Sequence, residues 1–278
     1  MSERFGPFVL RRLLGRGGMA EAFLASNERD PSEVFVLKRI RPDHADRAEY
    51  QHRFVLEAQV VSRALDEHLV RFREFGRVGE CYYLTMDQVR GHSLHRVFEP
   101  IFTSRKLPPL AVSAHLGLGL FRGLGALHRV KDEAGAPRPM IHRDVTPKNV
   151  IVSEAGEAVL IDFGIAKDMY GPSITVPGQW IGTARYMAPE HRRGEFIDAR
   201  ADVFSASVIC FELFTGEHPW PPETSLRELL KTSFDAPEIS RDVRERGALG
   251  RPRGACYEAS RCDPDERWPD AGAAAAAL

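Results

Sequence analysis

The first third of the chain alternates short apolar segments with polar or glycine-rich turns. Residues 8–14, 21–25 and 34–40 are rich in apolar side chains, and glycine, aspartate and proline lie between them. Segments of this length and composition are typical of β-strands joined by tight loops. Residues 69–75 and 82–89 have the same character. The pattern therefore predicts a small sheet near the start of the chain.

Elsewhere apolar residues recur about every 3.6 positions, which is the period of an amphipathic helix. Residues 50–65 show this period and predict one helix that packs against the sheet. Its apolar positions are Phe54, Val55, Ala58, Val61 and Leu65.

Later segments predict a mainly helical second half. A mostly buried helix starts at Leu110 and ends before His128, and a second apolar helix spans about residues 201–215. Residues 131–139 contain two prolines and a glycine, so they predict a surface loop. Residues 271–278 are nearly all alanine, the best helix former, and predict a final helix whose abrupt end suggests a longer parent protein.

Composition argues against several classes of protein. The 38 basic and 39 acidic side chains give a formal net charge of −1, so no overall charge attracts nucleic acid or an anionic membrane. No stretch approaches the roughly 18 apolar residues of a membrane span, and residues 1–12 lack a secretory signal. The cysteines form no CxxC pair, which favours reduced thiols over disulfides or zinc. We therefore expect a soluble, cytoplasmic protein. The cysteines are Cys81, Cys210, Cys256 and Cys262.

Four short motifs point to phosphoryl transfer. Asp144 is placed to take a proton from a substrate hydroxyl, while Asn149 and Asp162 offer the hard oxygen ligands that Mg²⁺ on ATP phosphates requires. In order and spacing these motifs resemble the eukaryotic-like bacterial serine/threonine protein kinase family over essentially the whole chain. The motifs are His142-Arg143-Asp144, Asn149, Asp162-Phe163-Gly164 and Ala188-Pro189-Glu190.

The resemblance implies an α+β protein kinase fold of two lobes. One kinase catalytic domain would cover residues 1–278, with a small antiparallel sheet lobe carrying one helix at about 1–88, a hinge at about 87–91 and a larger, mainly helical lobe at about 92–278. It implies ATP and Mg²⁺ as cofactors and serine or threonine hydroxyls of proteins as acceptors. It also implies bacterial signal transduction, autophosphorylation of the activation segment and possible homodimers for that reaction in trans.

A glycine run lies between two predicted strands. At Gly15, Gly17 and Gly18 the missing side chains would let backbone amides approach phosphate oxygens and would tolerate positive φ. An ordinary hairpin turn has the same composition. The chain departs from the family pattern at Ala20, which replaces the third glycine, and at Ala22, which replaces the valine over the adenine.

Lys38 matches the lysine of the third strand that contacts the α and β phosphates. Glu57 on the predicted helix is its expected partner, and Glu49 is the alternative. A solvated surface pair would have the same sequence, but a lysine at the end of an apolar strand needs a partner to be buried.

The adenine would be held at the hinge. Met86 would be the gatekeeper, the backbone of Asp87 and Val89 would supply hydrogen bonds, and Ser93 would lie near the ribose. Ordinary core packing would have the same sequence.

The catalytic loop departs from the family pattern at Thr146, where a lysine normally neutralises the transferring phosphoryl group. Since phosphoryl transfer is catalysed mainly by electrostatics, the loss could reduce the rate on the order of 10²-fold. Our hypothesis is that Lys148 supplies the charge. The alternative is that Lys148 is a solvated charge and the protein is a pseudokinase or nucleotide-binding scaffold.

The segment between Asp162 and Glu190 has the length of an activation segment. Ser173 and Thr175 are the expected phosphoacceptors, although both could be unmodified polar residues. Arg143 would bind the resulting phosphate, or would instead pair with a nearby carboxylate.

Three further residues have roles that the resemblance implies. Thr183 would hydrogen-bond the catalytic aspartate and favour serine or threonine acceptors. Glu190 would form a buried ion pair with Arg267, and Asp202 would anchor the backbone of the catalytic loop.

Overall fold

The computed structural model divides the chain into two compact units, Met1–Val89 and Arg90–Leu278. It describes residues 3–104, 106–132, 134–162, 183–221, 223–225, 228–229, 261 and 263–277, without the side chains of Glu57, Val60, Val61 and Ala277.

The first unit contains a six-stranded antiparallel sheet with strand order β1-β2-β3-β4-β6-β5. One helix, α1, packs against β4, β5 and β6. The elements of the first unit are β1 (Glu3–Phe5), β2 (Phe8–Arg16), β3 (Ala20–Asn27), β4 (Val34–Ile40), a 3₁₀ turn (Pro42–His44), α1 (Ala48–Arg63), β5 (Phe72–Val78) and β6 (Cys81–Asp87).

The side chains of β4 alternate in burial, which is the pattern expected of a β-strand. Phe35, Leu37 and Arg39 are buried, while Val36 and Lys38 between them are half-buried, as expected when successive side chains point to opposite faces. Aromatic rings and aliphatic side chains therefore fill one face of the sheet. The buried apolar residues of this face include Phe5, Phe8, Leu10, Phe23, Ala25, Phe35 and Leu37.

The predicted helix is confirmed but lies two residues earlier than expected. Phe54 and Ala58 are buried as predicted. Leu65 was wrongly assigned to the packed face, because α1 ends at Arg63 and the Leu65 side chain is 79% exposed. Val61 lies outside the described side chains.

The bounds predicted for the fourth strand are the least accurate. Residues 69–75 were expected, but β5 covers Phe72–Val78, since the Leu69 N–H still donates to the Asp66 carbonyl three residues earlier. The strand continues to a tight hairpin at Gly79, where φ is +59°, a conformation that glycine adopts without strain. β6 ends at Asp87 rather than at residue 89.

The second unit is mainly helical and carries a small antiparallel sheet with strand order β7-β8-β9. The helix α3 packs against α5 and α6. The elements of the second unit are β7 (Gly91–Ser93), α2 (Leu94–Ser104), α3 (Leu110–His128), β8 (Val150–Ser153), β9 (Ala158–Leu160), α4 (Pro189–Arg193), α5 (Ala199–Thr215), a 3₁₀ turn (Pro264–Glu266) and α6 (Ala271–Ala277).

The buried helix α5 is the centre of this unit. Every side chain from Ala201 to Cys210 is buried. The helix begins at the N-cap Asp198, whose side chain accepts a hydrogen bond from the Arg200 N–H, and ends at Gly216. A Cβ there would lie 2.7 Å from Leu107 Cδ2, and φ is +69°, so this C-cap requires glycine.

Among the described residues, α3 is the one helix long and apolar enough to cross a membrane by length and composition. The expectation that no stretch approaches this length is therefore too strong. In the structure α3 packs against α5 and α6, as a core helix of a globular domain also does.

Candidate active site

The predicted catalytic residues Asp144 and Asn149 are hydrogen-bonded to each other. The Asn149 Nδ2 amide donates to the Asp144 carboxylate Oδ2 at 2.8 Å and to the Asp144 carbonyl oxygen at 2.9 Å. The loop closes further because the Asn149 N–H donates to the Thr146 carbonyl at 2.9 Å. These contacts fix the direction of the carboxylate that would receive the acceptor hydroxyl proton.

Asp202 on α5 anchors the start of this loop. Its carboxylate accepts hydrogen bonds from the His142 N–H at 2.7 Å and from the Arg143 N–H at 2.9 Å, and it contacts His128 Nε2 at 2.9 Å. Arg143 has φ of +66°, a strained conformation for a side chain of this size. The three contacts hold the backbone in that conformation ahead of Asp144.

Buried polar groups around the loop have shifted pKa values. Burial alone would raise the pKa of Asp202, but its hydrogen bond with His128 and the donors around it lower the pKa below its ordinary value. Burial lowers the pKa of His142, which is completely inaccessible to solvent. At neutral pH His142 is therefore a neutral packing residue.

The two predicted magnesium ligands lie at one end of the β8–β9 hairpin. The Ile161 N–H donates to the Asn149 carbonyl at 2.8 Å, directly beyond the Val150–Leu160 pair of the hairpin. Asp162 therefore follows on the chain next to Asn149. Asp162 is exposed and has φ of +59°.

The donor set fits magnesium that arrives with ATP. Since Asn149 Nδ2 donates to Asp144, its Oδ1 is the atom that would ligate the ion, beside the carboxylate of Asp162. Within the described ranges, no group of three or more His, Cys, Asp or Glu side chains is arranged to hold a metal by itself. Magnesium on phosphates commonly takes only one or two protein ligands, so two oxygen donors suffice.

The two unusual residues of the loop have opposite environments. Thr146 is 7% exposed, whereas Lys148 is exposed. A lysine at position 146 would have to extend its charge out of a closely packed site, while the ammonium group of Lys148 is exposed to solvent. The proposed role of Lys148 stays a prediction.

The ion pair predicted between Glu190 and Arg267 is present and bidentate. Arg267 Nη1 and Nη2 donate to the two Glu190 oxygens at 2.6 and 2.8 Å, and both side chains are buried. The Arg267 guanidinium also lies over the ring of Phe204, 5.1 Å from its centroid. The bidentate geometry makes this a strong charge-assisted pair, and because both charges are buried, removing either side chain would leave the other charge without its partner.

The glycine loop of the first unit is a tight turn. The Gly17 N–H donates to the Ala20 carbonyl at 2.8 Å. None of Gly15, Gly17 and Gly18 has positive φ, and a Cβ added at any of them would make at most an ordinary van der Waals contact. The turn itself therefore does not demand glycine here, and close approach of phosphate remains the predicted reason for it.

Three of the residues predicted to contact ATP lie in one row across the first sheet. Ala22 on β3 pairs with Gly15 on β2 and with Lys38 on β4. Glu57 lies on α1, but its side chain is outside the described part of the chain.

The hinge residues are divided between the units. Met86 is buried in β6 opposite Val36. The Asp87 N–H donates to the Arg71 carbonyl at 2.9 Å, which narrows its predicted adenine contact to the Asp87 carbonyl oxygen. Val89 is the last residue of the first unit, and Ser93 ends β7 in the second.

Several predicted residues lie outside the described residues, namely Phe163, Gly164, Ser173 and Thr175. The Thr183 carbonyl accepts a hydrogen bond from the Tyr186 N–H at 3.0 Å. Its predicted bond to Asp144 stays a prediction.

Two buried carboxylates were not predicted from the sequence. Glu21 on β3 is 2% exposed and Glu212 on α5 is 1% exposed. A signal existed for each: Glu21 interrupts an apolar strand, and Glu212 interrupts an apolar helix. Since charged residues are rarely buried without partners, both positions could have been singled out.

The family model for the protein kinase domain matches residues 8–247 of this chain. The chain is 32% identical to the tyrosine-protein kinase MasK of Myxococcus xanthus over 282 residues, which cover 99% of the chain and 43% of that protein. It is 30% identical to the serine/threonine-protein kinase PknD of Mycobacterium tuberculosis over 241 residues, 86% of the chain and 34% of that protein.

The serine/threonine-protein kinase PknA of Corynebacterium glutamicum is 29% identical over 98% of the chain and 55% of its own length. The chain thus spans about half or less of the length of these curated relatives. The crystal structure of the Mycobacterium tuberculosis PknI kinase domain superposes with a TM-score of 0.70 at 24% identity, covering 99% of this chain and 96% of that one. This likeness shows that the fold is the protein kinase fold.

Proposed function

The chain belongs to the protein kinase family, and on that premise we propose that it transfers the γ-phosphoryl group of ATP to serine or threonine hydroxyls of proteins. Members of this family generally use ATP and Mg²⁺. The observation that supports the proposal most is the catalytic loop, in which Asn149 fixes the Asp144 carboxylate at 2.8 Å and Asp202 holds the backbone ahead of it.

Each residue of the loop would have a separate task. Asp144 would orient the acceptor hydroxyl and take its proton as the new phosphate ester bond forms and the bond to the β-phosphate oxygen breaks. Asn149 and Asp162 would hold Mg²⁺, which when bound neutralises charge on the phosphates. In the first unit, the glycine loop and Lys38 would bind the phosphates of ATP.

Lys148 would supply the cation that Thr146 does not. Its exposed ammonium group would stabilise the charge of the transferring phosphoryl group, so Lys148→Ala should lower turnover on the order of 10²-fold. Lys131→Ala is the matched control, since Lys131 is an exposed lysine of a surface loop. Undiminished turnover of Lys148→Ala would remove this role.

Tyrosine is the second candidate acceptor, because MasK, with 32% identity over 99% of this chain, is named a tyrosine kinase. The Gly182-Thr183 element favours serine and threonine by resemblance to serine/threonine kinases. Phosphoamino acid analysis of the labelled protein distinguishes the two acceptors.

The experiment that tests the function is incubation of the purified protein with radiolabelled ATP, Mg²⁺ and a general protein acceptor, beside Asp144→Asn. We expect label in the parent, and a reduction of about 10²-fold or more in the variant, the usual contribution of a positioned base. Equal label in both would support a nucleotide-binding scaffold instead. Mass spectrometry of the same samples tests autophosphorylation at Ser173 or Thr175, and mixing active with inactive protein tests whether two copies react in trans.

A further inference from the structure

A row of charged side chains crosses the sheet of the first unit beside the glycine loop. Arg16 on β2 lies opposite Glu21 on β3, and Glu21 lies opposite Arg39 on β4. Arg16 Nη2 forms an ion pair with Glu21 Oε1. Arg39 Nη2 and Nε donate to Glu21 Oε2 at 3.3 and 3.4 Å. We call these three residues the charged row.

The two ends of the charged row differ in burial. The Glu21 and Arg39 side chains are 2% and 8% exposed, while that of Arg16 is 61% exposed. The Arg39 guanidinium is fixed between two aromatic rings, with centroid distances of 5.1 Å to Phe5 and 4.9 Å to Phe23. A carboxylate buried this deeply needs cationic partners. Arg39 is therefore the buried, fixed partner of Glu21. Arg16 is the mostly exposed partner, and it binds Glu21 from the entry of the loop.

The next row along the sheet is Gly15, Ala22 and Lys38, which are predicted to contact ATP. Successive side chains of a strand point to opposite faces, so the charged row lies on the face opposite Lys38. It can hold the strands without obstructing the face that would bind nucleotide.

The entry to the loop needs such support. The pairing of β2 with β3 is irregular between Leu13 and Gly15, and two pairs, Gly15–Ala22 and Arg16–Glu21, follow that irregularity. The exit of the loop is tied separately, since the Arg41 N–H donates to the Met19 carbonyl at 3.0 Å.

We propose that Glu21 is a positioning residue for the glycine loop, with Arg39 as its buried support and Arg16 as the arm that holds the loop entry. This inference deepens the proposed function and rests on it, because the loop matters for catalysis only if it binds ATP phosphates. Glu21 itself does not touch the reacting atoms.

The test compares Glu21→Gln and Arg16→Ala with Glu28→Gln. Glu28 is the matched control, because it follows β3 and pairs with an arginine of the same sheet, Arg4, at 2.6 Å, on the surface. The first readout is hydrogen exchange at the Gly17 and Arg41 amides of the nucleotide-free protein. The second is KM for ATP and kcat with a protein acceptor.

We expect faster exchange at the Gly17 amide, while the Arg41 amide, which is tied separately, and the amides of β4 and β6 stay unchanged. If only about one tenth of the Glu21→Gln molecules have the loop conformation that binds ATP, KM for ATP rises about tenfold in this variant. A rise of about threefold is expected for Arg16→Ala, and kcat stays within about twofold of the parent in both.

Unchanged loop exchange and KM in both variants would overturn the proposal, as would an equal effect of Glu28→Gln. Should Glu21→Gln fail to fold, Arg16→Ala decides, because its side chain is mostly exposed. Should the parent protein transfer no phosphate, the exchange measurement still decides whether the charged row orders the loop, so the two proposals fail separately.

Discussion

The two ends of helix α5 each bury a carboxylate, and the two carboxylates have opposite pKa shifts. Asp202 in the first turn and Glu212 near the end are each 1% exposed. The pKa of Asp202 is lowered, while burial raises the pKa of Glu212 to about 8. Burial is the same for both, so the difference must come from the donors and the helix end.

At the first end, donors surround the charge. Asp202 accepts from two backbone N–H groups of the catalytic loop and contacts His128. It also lies at the positive end of the helix dipole, where a negative charge is favoured. The charged form is therefore the stable one, and it fixes the loop.

At the other end, Glu212 has a single hydroxyl donor among the contacts described for it: the Tyr186 hydroxyl lies 3.0 Å from each Glu212 oxygen. Arg185 lowers the pKa of Glu212 in part, but it directs hydrogen bonds to the Pro221 carbonyl at 2.8 Å and to His218. His218 is neutral as well, since burial and the charge of Arg185 lower its pKa to about 3. Glu212 is therefore largely protonated at neutral pH.

The comparison shows that a buried acid keeps its charge where backbone donors converge on it. In this protein the charge is retained at the end of α5 that orients the catalytic loop. It is suppressed at the end where one hydroxyl group is the principal donor.

The strongest way to break the comparison is Asp202→Asn. The new amide keeps one acceptor oxygen but turns an N–H₂ group toward backbone donors, so buried N–H groups lose their partners. We expect the free energy of unfolding to fall by about 3–5 kcal/mol, and phosphoryl transfer to fall on the order of 10²-fold because the loop is displaced. Urea unfolding and single-turnover transfer measure the two effects.

Asp198→Asn is the control at the same end of the helix. Asp198 is the N-cap and forms a partly exposed ion pair with Arg200. Asparagine caps about as well as aspartate and such a pair contributes at most about 1 kcal/mol, so stability and turnover should change little. The pH dependence of the stability of Asp202→Asn gives a further check. Since the native pKa of Asp202 is lowered from 3.8, its contribution is present above that value and is lost as pH falls through the lower native pKa. A parent–variant difference that does not shrink in acid would contradict the assignment.

A change of opposite sign is expected from Glu212→Gln. The unfolded chain releases this proton near 4.5, whereas the native protein holds it to about 8. Parent stability therefore falls as pH rises through this window, by at most about 1.4 kcal/mol per pH unit. Glutamine has no such loss, so the variant should match the parent near pH 5 and exceed it by about 1–3 kcal/mol at pH 7.5.

Chemical unfolding at pH 5, 7.5 and 9 measures this difference. Glu195→Gln is the control, because Glu195 is an exposed carboxylate of the same unit and reports the general effect of replacing one acidic side chain by its amide. A Glu212→Gln protein that is less stable by the same amount at every pH would show that Glu212 is charged in the native state.

The sequence could predict the parts of this molecule that depend on local pattern. The period of apolar residues indicated α1, α3 and α5 to within two residues, because long helices repeat the same signal several times. The strands β7, β8 and β9 were missed, because three or four residues are too few to show alternation.

For the candidate site, motif spacing indicated Asp144 and Asn149, and the family resemblance implied Asp202. The structure shows that these residues are linked through the catalytic loop. It could not indicate which donors surround Glu212, since Tyr186 and Glu212 are distant in the chain and meet only through packing. Charge state depends on such contacts, and a sequence does not contain their distances.

The smallest change that sharpens the comparison is Tyr186→Phe. Removing the hydroxyl group removes a hydrogen bond to Glu212, so the free energy of unfolding should fall by about 1 kcal/mol. Because that bond lowers the pKa of Glu212, the pKa should rise above its value of about 8, and the alkaline end of the stability loss should move to higher pH. Unfolding between pH 7 and 10 measures the shift, and the double variant Tyr186→Phe/Glu212→Gln should show none. An alkaline end that moves to lower pH would mean that Tyr186 stabilises the protonated carboxyl group rather than the carboxylate.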